Sequence, residues 1–119
     1  MIRPRAVFVG VALALLGSVA SAQEAFHVTH TVDRSNPTQT RINGTVVNEG
    51  RNEVVDVYVT AEALDGGGKT VARGITFVSP SIAPGRGVPF TASVPAMPGA
   101  TSYRVRVSSF RFGQGLQSP

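Results

Sequence analysis

Apolar and polar residues alternate along most of this chain, and the alternation is reset at clusters of Gly, Pro, Asn and Asp. A period of two places successive side chains on opposite faces of a strand, and no helical apolar period of useful length occurs beyond residue 22. The first predicted strand, Ala25 to Val32, has Phe26, Val28 and Val32 on one face with His30 among them. DRSNP follows, where Pro37 forbids further pairing and Ser35 and Asn36 satisfy their own backbone. In the second strand, Thr40 to Asn48, Ile42, Gly44 and Val46 oppose Arg41, Asn43 and Thr45, and NEGRN (48–52) turns the chain. The third is the clearest. Val55, Val57, Val59, Ala61 and Ala63 share one face, while Asp56, Tyr58, Thr60 and Glu62 share the other, as in a central strand with one wet side.

Asp65 and the glycines 66–68 reverse the chain into Lys69 to Val78, with a kink or bulge expected at Gly74. Pro84 and Gly85 in APGRG make a second reversal, after which Val88, Phe90, Ala92 and Val94 form an inward row. After the loop PAMPGAT comes the last strand, Ser102 to Phe112, where Tyr103, Val105 and Val107 alternate with Arg104, Arg106 and Ser108. Residues 113–119 read as a polar, flexible tail. Six to seven short strands in one domain, residues 23–112, predict an all-β fold: an antiparallel β-sandwich of the immunoglobulin-like or fibronectin-like kind. A closed barrel is the structural alternative.

The start of the chain has a different grammar. Arg3 and Arg5 precede the apolar run Ala6 to Leu16, and small residues from Gly17 to Ala22 follow. These are the three parts of a secretory signal peptide. Residues 1–22 are expected to be removed between Ala22 and Gln23, with Ala20 and Ala22 meeting the small-residue requirement of signal peptidase. A spanning helix needs about 20 apolar residues, and this run meets Ser18 first, so no stable membrane anchor is expected after cleavage. Pro4 separates the two arginines, which excludes a twin-arginine signal, and no cysteine follows for lipid attachment. The expected location is the periplasm or the exterior of a bacterium.

Composition narrows the chemistry. The chain has no cysteine, so neither disulfides nor thiolate-bound zinc or iron–sulfur groups are available, and packing and backbone pairing must hold the fold. The formal charge of +4 includes Arg3 and Arg5; without them about +2 remains, too little to argue for nucleic acid or an anionic membrane as partner.

The stretches INGTVVN (Ile42 to Asn48), VVDVYVTAEALDG (Val54 to Gly66), APGRGVPF (Ala83 to Phe90) and SYRVRV (Ser102 to Val107) together resemble the FxLYD domain family. These are small immunoglobulin-like bacterial sandwiches of exported and lipid-anchored proteins, related in layout to the water-stress domains of late-embryogenesis proteins. The resemblance spans Phe26 to Val107. In the stretch matching the family's naming motif only Asp65 holds its place, while Ala61, Ala63 and Leu64 stand where bulkier residues belong. The resemblance implies a sandwich fold and brings no catalytic residues.

No chemical constellation emerges. His27 and His30, three positions apart on a strand, point to opposite faces, and Met97 is the one methionine after the signal, so metal ligands are few. No elbow motif surrounds a serine. Asp56 and Glu62 are about 20 Å apart by strand rise, too far for glycosidase chemistry. Gly66 to Gly68 with Lys69 and Thr70 lacks the phosphate-loop spacing and reads as a hairpin turn. Asn43-Gly44-Thr45 spells a glycosylation sequon inside a strand and is read as accidental.

The expectation is therefore a non-catalytic exported module with no cofactor, working by contact with a protein partner of the envelope or exterior. A small-ligand or metal carrier is the alternative, and a small hydrolase the remote one. Candidate partner-contact residues are Arg104, Arg106, Phe110 and Phe112, which share parity on the last strand; arginine and aromatics are the side chains of binding hot spots. The competing account pairs the arginines with Asp56 or Glu62 and lets a bulge turn the phenylalanines under the sheet edge. If Arg104→Ala with Arg106→Ala kept full partner capture, attention would move to the loops DRSNP and PAMPGAT.

Overall fold

The computed structural model describes residues 25–113. The expected signal, with Ala20, Ala22 and Gln23 at its cleavage site, lies outside them, as do residues 114–119 of the expected tail. Six strands form: β1 (Phe26–Asp33), β2 (Gln39–Asn48), β3 (Val54–Leu64), β4 (Thr70–Ile82), β5 (Gly87–Pro95) and β6 (Ser102–Phe112). They pair antiparallel in two three-stranded sheets, ordered β1-β2-β5 and β4-β3-β6. The fold is all-β, a sandwich.

The core lies between the sheets and takes the inward row of each. Phe26, Ile42, Val46, Phe90, Ala92 and Val94 come from one sheet, and Val54, Val57, Val59, Ala61, Ala63, Ile82 and Val107 from the other. Each such valine or isoleucine contributes about 1.5–3 kcal/mol by leaving water. Gly44 has a role in this packing. It pairs directly with Phe90, whose ring lies so close that an added Cβ would sit 2.7 Å from it.

The reversals follow their residues. Asp65 Oδ1 accepts from the Gly67 and Lys69 amides, and Gly68 takes φ +85°, a conformation that glycine reaches without strain. In DRSNP, Asn36 Oδ1 accepts from the Thr38 and Gln39 amides. Asn48 does more than begin a turn: fully buried, its Nδ2 donates to the carbonyls of Asn52 and Ile82, both at 2.9 Å, and its Oδ1 accepts from Gly50 N. One side chain thus ties the end of β2 to the end of β4 in the other sheet.

The structure corrects several expected details. In β3 the alternation holds from Val57 to Ala63, but Asp56 adopts φ 52° and breaks it. Val54, 1% exposed, therefore takes the inward place expected of Val55. Gly74 carries no bulge and pairs regularly with Ala61; the register shifts in β4 fall near Val71 and Val78 instead. Gly74 serves close approach, because a Cβ there would lie 2.1 Å from the Ser93 carbonyl oxygen of β5. β4 also runs past Val78 and Pro80 to Ile82, which an outer strand permits because one row of its backbone groups has no ladder partner to lose. Gly113, assigned to the tail, is buried and donates its amide to the Glu53 carbonyl at 3.0 Å.

Candidate functional site

The four residues expected to form one stripe on β6 divide between two faces. Arg104 pairs with Glu62 and Arg106 with Thr60 on the outward side of the sheet. Between Val107 and Ser109 the register slips, leaving Ser108 as an extra residue, and the strand's parity reverses. Phe110 consequently turns inward, where its ring meets Phe26 of the opposite sheet edge-on at 4.9 Å. Phe112 pairs with buried Val54 and packs on Phe110 at 5.3 Å, with 47% of its surface exposed. The shared stripe is thus replaced by an arrangement close to the competing one: the arginines point out, Phe110 lies under the edge, and Phe112 stays half exposed beside it.

What the outward face gathers is set by cross-strand pairing through β3. Three rows follow one another: Arg73–Glu62–Arg104, Ile75–Thr60–Arg106 and Phe77–Tyr58–Ser109. Ile75 is 67% exposed, Phe77 48% and Tyr58 37%, and the two rings meet edge-on at 5.2 Å. Large apolar side chains point outward on β4 because the inner side has no room for them. Its inward positions are Ala72, Gly74 and Thr76, pressed toward β5 where Gly74 meets Ser93. The signal in sequence is the parity that Ile75 and Phe77 share with Arg73.

Glu62 anchors the upper row. Arg104 donates Nε and Nη2 to its Oε1 at 2.9 and 2.7 Å, and Arg73 Nη2 stands 3.7 Å from its Oε2. The hydrogen bonds from Arg104 hold the carboxyl below its ordinary range; burial opposes them, and the charges of Arg104, Arg106 and Arg73 reinforce them. Asp56 is taken by Arg111, which donates Nε and Nη2 to its carboxylate. Arg106 makes no ion pair among the described residues.

A second feature lies at one end of the sandwich, where DRSNP and PAMPGAT meet. Arg34 Nη2 donates to the Ala100 carbonyl at 3.2 Å, with its guanidinium 5.7 Å from the Tyr103 ring centre. A cleft of about 290 Å³ opens there among Arg34, Pro37, Thr40, Met97, Pro98 and Tyr103. His27 and His30 lie on opposite faces, paired with Val47 and Gly44. Among the described residues no three His, Cys, Asp or Glu side chains gather in a group able to hold a metal.

No family model and no curated protein matches the chain. The crystal structure of a Northeast Structural Genomics Consortium target is similar in chain path, with TM-score 0.44 and 13% identity over 74% of this chain and 85% of its own. At that score the similarity carries no argument.

Proposed function

We propose that this chain is an exported, non-catalytic β-sandwich module that works by contact with another protein of the envelope or exterior, and that the contact is made by the outward face of the β4-β3-β6 sheet. The observation that carries the reading is the cluster of Tyr58, Ile75 and Phe77, exposed together beside three arginines. Exposed aromatics and arginine on a rigid sheet are the makings of a binding hot spot. The signal grammar of residues 1–22 and the resemblance to the FxLYD family support the export part of the reading.

The test starts from protein purified after expression with its own leader, whose intact mass is expected to begin at Gln23. Cross-linking in the envelope is then compared for the wild type, Phe77→Asp with Ile75→Ser, and Thr29→Asp on the opposite sheet. Loss of a cross-linked product in the first variant alone, with the fold retained and the melting temperature lowered by no more than the lost Tyr58–Phe77 contact accounts for, is the expected result. Full retention of that product would remove this face. A second reading, small-ligand carriage, is favoured by the loop-end cleft with Arg34 over Tyr103, a volume near the lower limit of ligand sites.

A further inference from the structure

The charge on this face is one-sided. Its three rows hold three arginines and one glutamate, and the glutamate is 4% exposed beneath Arg73 and Arg104. Over these rows an approaching molecule therefore meets guanidinium groups and apolar surface, and the one exposed carboxylate beside them, Asp56, is held by Arg111. The Asp56–Arg111 pair beside the rows is internally balanced.

We infer that the face takes an acidic polypeptide segment of another protein, which sets a carboxylate on Arg106 and an apolar or aromatic side chain on the ground formed by Tyr58, Ile75 and Phe77. The inference rests on the reading of this face as the contact surface, and adds the chemistry of the partner. Arg106 is the natural receptor because it is exposed and, among the described residues, makes no ion pair, acting on Glu62 only through its field. The apolar ground supplies affinity, and the guanidinium groups supply selection and orientation, as charges at the rim of interfaces do.

Other occupants fit less well. A second copy in a symmetric, face-to-face arrangement would bring the same three arginines against themselves. Its other outward face is near neutral: Asp33 stands beside Arg41, and the rows that follow are mostly threonine, with Asn43, Pro89, His27 and Val47. The stretches of this chain outside the described residues, 1–24 and 114–119, carry Glu24 as their single acid. A phosphate polymer would occupy the arginines and leave Ile75 and Phe77 uncovered.

A random twelve-residue peptide display library panned on the purified protein tests this directly. Enriched sequences should carry a net excess of Asp and Glu around an aromatic or large aliphatic residue. Their synthetic forms should bind at least tenfold more weakly to Arg106→Glu, with Arg106→Ser intermediate and both variants melting as the wild type does. Raising the salt from low to high should weaken binding several-fold. Neutral or basic enriched sequences that still lose binding to Phe77→Asp would overturn the acidic partner while leaving the contact face standing. Sequences that bind Phe77→Asp and Arg106→Glu as well as they bind the wild type would overturn both. Failure to enrich any sequence, or displacement of the bound peptides by phosphatidylglycerol vesicles or a DNA duplex at equal charge, would also overturn the acidic-peptide inference.

Discussion

The outward faces of the two sheets are built on the same alternating backbone and differ in almost everything else. On β1-β2-β5 the rows read Asp33–Arg41–Ser93, Thr31–Asn43–Thr91 and Thr29–Thr45–Pro89. Short polar side chains stand in water, and Asn43 at the centre is exposed. On β4-β3-β6 the flanking strands carry long side chains that lean over the central one. Thr60 and Glu62, which face outward, are consequently only 6% and 4% exposed. The second face therefore has a thin packed layer of its own outside the sandwich, while the first is a plain hydrated surface. Facing outward and being wet are separate properties, and the reach of the neighbours decides between them.

The largest effect should separate this outer layer from the true core. Val57 is fully buried between the sheets, and Val57→Asp would bury an unpaired carboxylate at a cost of several kcal/mol, most of the ~5–10 kcal/mol available to such a domain. Tyr58→Asp, one residue on, removes only the edge-on contact with Phe77, worth about 1 kcal/mol. Circular dichroism melts should show the first variant unfolded and the second close to wild type; equal melts would mean that the outer layer is as essential as the core.

Next in size is Glu62→Gln, which removes the charge from the bonds with Arg104 and should cost about 1–3 kcal/mol by denaturant titration. This effect also has a pH signature. The folded carboxyl titrates below its ordinary 4.5, so its stabilisation is complete above that value and is lost as the pH falls through the lower, folded value. The melting temperature of the wild type should thus drop more steeply than that of Glu62→Gln on acidification below about pH 4.5. Parallel slopes would show that the layer draws nothing from this charge. The smallest effect belongs to the plain face. Asn43→Ala, at the centre of the other sheet, loses one exposed bond from Thr91 and should stay within about 0.5 kcal/mol of wild type.

The sandwich was legible because each inward row is long enough to show its period. Val57 to Ala63, Ile42 to Val46 and Val88 to Val94 read correctly from alternation alone, as did the turns at Gly68 and Gly85. Alternation does not place the points where one strand gains a residue on its neighbour: the bulge before Phe110 stands only in the competing account, and the one at Asp56 is not foreseen. Asp56 and Ser108 look like any polar residue in an alternating run, and nothing local marks them as the points where parity reverses. Yet those two positions decide that Val54 goes in, that Phe110 meets Phe26, and that the arginines and phenylalanines of β6 part company. A bulge is a property of two strands together, so a single sequence read strand by strand does not carry it. The patch on β4 was missed for a related reason: the outward turn of Ile75 and Phe77 depends on how near β5 comes to Gly74.

The Asn43-Gly44 step in β2 has a consequence for how the molecule ages. In a mobile chain this dipeptide is the one most prone to deamidation, because the glycine nitrogen readily attacks the asparagine side chain to close a succinimide ring. Here the step is held extended between β1 and β5, and Thr91 Oγ1 grips the asparagine oxygen at 2.9 Å. Ring closure has to wait until the ladder opens. Conversion of Asn43 to aspartate or isoaspartate is thus a chemical clock that runs while the sheet is open, and its extent in an old sample records how long the protein has spent unfolded.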